Sequence, residues 1–167
     1  FYSNRTSVLS ILSYFLEIMT KLTVSTKVYA PLEYVRNCMR NPEHITHRAF
    51  ADAETRHCPR AKGSEPKVGE TFTTRMEAKD GSFWFDLTGQ YTVVEPMQRL
   101  TYTMGEMKEY FLDAGRVVDV LFQEDGSCGC VTVTETFDAE EIHDLDMQKA
   151  GRQEILENFK KHVESAV

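Results

Sequence analysis

Nowhere in this 167-residue chain do lysine and arginine cluster into a run. Nineteen Lys and Arg stand against twenty-six Asp and Glu, a net charge of −7, so no stripe exists to track phosphates and nucleic acid is not an expected partner. Long hydrophobic runs are also missing. The apolar segment from Val8 to Met19 is too short to span a bilayer, contains Glu17 and is not followed by a small-residue cleavage site, which argues against a membrane partner. The sequence has no C-x-x-C, no G-x-S-x-G and no P-loop, and no repeat or low-complexity tract. No catalytic residue, metal ligand or cofactor is therefore assigned. The four cysteines, Cys38, Cys58, Cys128 and Cys130, are read as reduced structural thiols of a cytoplasmic protein, because a chain of this size needs no staples.

What is present is ordinary for a globular chain: 41% hydrophobic and 27% charged residues. Residues 20–167 read as one domain. Residues 1–19 read as an extension, with Ser7, Ser10, Tyr14 and Glu17 at helical spacing opposite Val8, Ile11, Leu12, Phe15 and Met19. An upstream extension ahead of Met19 is the plain reading, and a helix that packs on a partner subunit is the alternative.

β-branched residues from Leu22 to Tyr29 predict a strand. Pro31 then opens a helix with Leu32, Val35 and Met39 on one face, and Asn41-Pro42 caps a second short helix carrying His44 and His47. Asp52 to Val68, with Pro59, Gly63 and Pro66 among charges, predicts a surface loop. A hairpin follows, turning at Asp80-Gly81, in which Phe83, Phe85, Leu87, Gly89, Tyr91 and Val93 are expected on one face. Leu100, Tyr102 and Met104 mark the next strand. A last hairpin turns at Asp125-Gly126, pairing Val118, Val120 and Phe122 with Val131, Val133, Glu135 and Phe137. The chain closes on a helix from about His143 to Ser165, with a stripe of Leu145, Arg152, Leu156, Phe159 and Val163. A long amphipathic helix after antiparallel strands must cover the apolar face of their sheet, which gives an α+β fold.

Several phrases, "VYAPLEYV", "NPEHIT", "MEAKDGSFWFDLTGQYTVVEPMQRLTYT", "VTVTETFD" and "AGRQEILENFKKHVES", carry a resemblance that spans nearly everything after Met19. The chain resembles the activator of heat-shock protein 90 ATPase homologue family, within the START-like or birch-pollen-allergen-like helix-grip superfamily. The resemblance implies a curved antiparallel sheet of six to seven strands wrapped around the C-terminal helix, two short helices after the first strand, and a cavity between sheet and helix. It implies binding of a small, largely hydrophobic or amphipathic ligand, without a cofactor. It also leaves two other readings: a stress-response domain that regulates a chaperone or meets another protein, itself included as a homodimer, and an enzyme of the cyclase, dehydratase or hydrolase kind. No counterpart of the additional N-terminal domain of eukaryotic co-chaperone members is read in these 167 residues, so chaperone activation is expected to transfer poorly. Arg48 and Arg152 stand where the family usually carries Trp.

Within that implied cavity, Phe50, Phe83, Phe85, Tyr91, Tyr102, Phe122, Leu156 and Phe159 are the candidate apolar wall, with His47, Arg48 and Phe50 near its mouth. Glu135 and Arg152 are the candidate polar pair. Both fall on apolar faces, and buried charges are costly unless paired, so they are expected to meet each other or a ligand head group. A structural ion pair and a ligand clamp both satisfy that expectation.

Overall fold

Side chains alternate in facing along β1 (Lys21–Val28), so Val24, Thr26 and Val28 turn inward while Thr23, Ser25 and Lys27 face water. The computed structural model describes residues 20–50, 54, 56–63, 65–108, 112 and 114–167; the helix expected before residue 20 lies outside the described residues. Pro31 closes the first strand and leads into α1 (Leu32–Arg40), which buries Val35, Cys38, Met39 and Arg40. Asn41 ends α1 and caps α2 (Pro42–Ile45), its Oδ1 accepting the N–H of Glu43 at 3.0 Å. His47 falls just beyond this single turn.

Six further strands follow: β2 (Arg56–Gly63), β3 (Thr71–Ala78), β4 (Trp84–Glu95), β5 (Arg99–Met104), β6 (Val117–Asp125) and β7 (Cys130–Asp138). All pairings are antiparallel, in the order β1-β7-β6-β5-β4-β3-β2. The sheet curls around α3 (Leu145–Glu164), whose first N–H groups, at Asp146 and Met147, are capped by Asp144. The first described strand therefore lies beside the last, with Val24 opposite Glu135 and Lys21 Nζ 2.7 Å from Asp138. The main core joins Val28, Val35 and Met39 to Tyr91, Leu100, Val120, Val133, Leu156, Phe159 and Val163. A smaller cluster of Ile45, Cys58 and Met76 seats α2 on β2 and β3.

Four expectations are corrected. The segment read as a loop contains β2, an edge strand whose charges face water; Pro59 is accommodated where the register shifts between His57 and Arg60. The face expected to run from Phe83 to Val93 is broken at both ends. Phe83 precedes β4 and is exposed, and a bulge between Tyr91 and Val93 sets Val94 opposite Leu100 and against the core. Leu145, expected on the buried stripe of α3, is exposed in the first turn, where the helix overhangs the sheet. Cys128 and Cys130 are not free thiols: they close a disulfide across Gly129, whose φ of 61° gives the turn its shape, while Cys38 and Cys58 remain free. Among the described residues no helix is long and apolar enough to cross a membrane.

Candidate functional site

The polar residues inside the grip come both from the interiors of elements, as with Tyr102, Glu135 and Arg152, and from the end of α1 and the turn after α2, as with Arg40 and Arg48. Arg40 is the last residue of α1, where the chain turns sharply into Asn41-Pro42, and this turn carries its side chain under the sheet. Its guanidinium lies 4.6 Å from the Phe72 ring centroid, 4.8 Å from Tyr91 and 5.7 Å from Tyr102, an aromatic cage for a cation. Arg40 is 8% exposed, and among the described residues its Nε has no hydrogen-bond partner. Phe72 reaches this position because Gly89 opposite it has no side chain.

Arg48, 6% exposed, donates through Nε to the Cys38 carbonyl at 3.4 Å and through Nη2 to the Met39 carbonyl. It thus satisfies the C-terminal end of α1 with a positive charge, while its plane lies 5.0 Å from the Phe159 ring. Burial, and then the neighbouring Arg40 charge, pull its pKa down to about 10. Arg152 reaches from α3 to Glu135, Nε to Oε2 at 2.7 Å, and donates from Nη2 to the Tyr102 hydroxyl at 3.2 Å. Burial opposes the Arg152 charge, but Glu135 and Tyr102 outweigh it and raise its pKa.

These side chains wall a chamber of about 80 Å³, together with Phe72, Thr74, Met76, Leu87 and Ile155. A second, outer cleft of about 440 Å³ shares Leu87, Arg152 and Ile155 with it. Phe85, Met104, Met107, Leu112, Phe137 and Met147 make the outer cleft largely apolar, and Arg56, Arg116 and His143 line it together with Asp138 and Glu140. Among the described residues, three guanidinium groups, Arg40, Arg48 and Arg152, therefore face one carboxylate, Glu135, around the inner chamber.

Of the residues singled out from sequence, Tyr102, Glu135 and Arg152 meet at the inner chamber and Phe85 lines the outer cleft. Tyr91, Phe122, Leu156 and Phe159 are buried in the main core and line neither space. Phe50 packs on the smaller cluster, its carbonyl accepting from Asn158 at 2.7 Å, and Phe83 sits at the β3–β4 turn with the Arg56 guanidinium 5.4 Å from its ring. Arg48 is a buried wall rather than a residue of the mouth, and His47 stacks outside on His162. Sequence reasoning missed Arg40, whose only local signal is its place just before the Asn41-Pro42 cap.

A curved seven-stranded antiparallel sheet gripping a C-terminal helix, with two short helices after the first strand, defines the helix-grip class. The chain belongs to the family described as Activator of Hsp90 ATPase homolog 1-like protein, whose model matches residues 30–164. Among solved structures it is similar to the AHSA1-like protein from Aeromonas hydrophila: 36% identity, 88% of this chain and 94% of that one covered, TM-score 0.75. A protein from Cytophaga hutchinsonii is also 36% identical, over 87% of this chain and 93% of that one, with TM-score 0.70. One from Rhodobacter sphaeroides is 15% identical over 90% of this chain and 95% of that one, TM-score 0.73, a likeness of fold alone. A comparison with curated proteins gives no match.

Proposed function

We propose that this protein binds a small amphipathic anion, with its acidic head in the inner chamber and its apolar body in the outer cleft. The observation that carries this reading is the excess of cation around the chamber: among the described residues, three guanidiniums against one carboxylate, with Arg40 Nε lacking a partner. A carboxylate or similar head would meet charge-assisted donors there, which are the strong kind of hydrogen bond. The inner chamber alone is small beside the several hundred Å³ typical of ligand sites, roughly 300–1,000 Å³. The head group therefore fits inside and the tail does not, and Met104, Met107 and Met147 offer the tail an adaptable surface.

An enzymatic reading would need Glu135 free to exchange protons, and its engagement by Arg152 weighs against that role. The family description also suggests a chaperone partner, which would be indifferent to filling the chamber. The test is native mass spectrometry of the purified protein, followed by thermal shift with octanoate and octanol. Octanoate should raise the melting temperature, octanol should not, and Arg40→Met should abolish the octanoate effect while Arg40→Lys keeps part of it. Equal responses to acid and alcohol would remove the anionic head from the proposal. No bound molecule and no response to either would favour the protein-partner reading.

A further inference from the structure

Next to the arginine-lined chamber but outside its lining, three helices bring together a thiol and two imidazoles. Cys38 comes from α1, His44 from α2 and His162 from the last turn of α3, and their ligand atoms all lie within 4.8 Å of one another. None of the three lines the chamber or the outer cleft. We propose that Cys38, His44 and His162 form a binding site for a transition ion of the zinc class, with a fourth coordination position open toward solvent.

The donor chemistry and spacing support this assignment. His44 Nδ1 and His162 Nε2 are 2.8 Å apart, so a single proton shared between two ring nitrogens holds them now. With Zn–N near 2.0 Å and Zn–S near 2.3 Å, tetrahedral ligand atoms stand roughly 3.3–3.6 Å from one another. For an ion to take the place of that hydrogen bond, the donor ring shifts its proton to its other nitrogen, the thiol gives its proton to solvent, the nitrogens separate by about half an ångström, and the sulfur closes in by up to about an ångström. Side-chain rotation can supply such movements. A hydrogen bond between two histidines requires no third donor, whereas a metal explains why a buried thiol shares the same space.

The surroundings suit ligation as well. Tyr34, one turn before Cys38, hydrogen-bonds its thiol and meets the His44 ring edge-on at 6.0 Å, an outer-shell group that touches two of the three ligands. A bound cation would supply the positive charge that makes the thiolate stable. Cys38 is fully buried, but His44 and His162 are half-buried and His47, stacked on His162 at 5.4 Å, is exposed, so an ion enters from the histidine side.

Cobalt is the probe, because a thiolate-to-cobalt band in the near ultraviolet and the visible d–d bands of tetrahedral cobalt report both ligand type and geometry. Titration of the intact chain with Co²⁺ should give both signatures at one ion per chain, and Zn²⁺ should displace them. Cys38→Ser should remove the thiolate band, and His162→Gln or His44→Gln should weaken binding at least about tenfold, with far-ultraviolet circular dichroism confirming that each variant is folded. The double variant Cys128→Ser/Cys130→Ser should bind as the parent does, which separates this site from the second cysteine cluster, beside Asp125 at the β6–β7 hairpin. Absence of the bands, their survival in Cys38→Ser, or their loss in the hairpin double variant would overturn the assignment.

Discussion

Glu135 Oε2 stands 2.7 Å from Arg152 Nε, joining the inner face of β7 to the inner stripe of α3. The carboxylate side chain is 7% exposed and the guanidinium 20%, so the pair is largely, though not wholly, removed from water. Removing one partner of such a pair leaves the other charge buried alone. Glu135→Gln should therefore lower unfolding stability in urea by about 3 kcal/mol, the low end of the range for breaking buried pairs because Arg152 keeps some solvent. Glu135→Leu/Arg152→Leu should be markedly more stable than Glu135→Gln, since it removes both charges and keeps apolar volume. Equal stability of parent and Glu135→Gln would show that the pair does not hold α3 to the sheet.

Gly89 is a packing requirement. A Cβ built there would lie 2.4 Å from the tip of the Phe72 ring, and the same ring forms part of the Arg40 cage. Gly89→Ala should cost about 1–3 kcal/mol, as overpacked core positions do. Adding Phe72→Leu should return part of that loss, measured as a coupling between the two substitutions in thermal unfolding.

The acid limb of stability should depend on Glu140. Burial works against its charge, but the backbone N–H groups of Ile142 and His143, at 2.5 and 3.1 Å, and the His143 ring together lower its pKa below the ordinary 4.5. The folded state then binds fewer protons than the unfolded chain between these two values. The stability Glu140 contributes is complete above the unfolded value and is lost as pH falls through the folded one. In Glu140→Gln, unfolding free energy measured from pH 6 downward should fall less steeply below about pH 4.5. An identical slope in parent and variant would remove Glu140 from the acid response.

Thiol counting checks the hairpin. Alkylation of the denatured chain without reductant should label two cysteines, Cys38 and Cys58, and with reductant all four, read by mass. Four labels without reductant would mean that Cys128 and Cys130 are open.

The elements with a strong period were legible from sequence: β1, the β3–β4 and β6–β7 hairpins, and α3. Each buries one face, so alternation or helical spacing is written into adjacent residues. β2 was not legible, because an edge strand with Pro59 and outward charges has the composition of a loop. The bulge after Tyr91 inverts a face without any glycine to announce it. The Glu135–Arg152 contact could be foreseen, since each is a charge on an otherwise apolar stripe. Arg40, Cys38 and His162 could not, because their partners come from elements distant in sequence; His44 and His162 are 118 positions apart.

The position of β1 at the edge of the sheet also has a consequence for how the chain reaches this state. Its sole partner among the described strands is β7, and Lys21 meets Asp138 across a separation of 117 residues. At synthesis rates of roughly 5–20 residues per second, the first strand waits on the order of ten seconds for the last. During that interval the apolar row of Val24 and Val28 has neither its strand partner nor α3 to cover it. Closure of the grip is therefore a late, non-local event, and folding should be slow for a chain of this length because loop entropy is lost before β1–β7 contacts compensate.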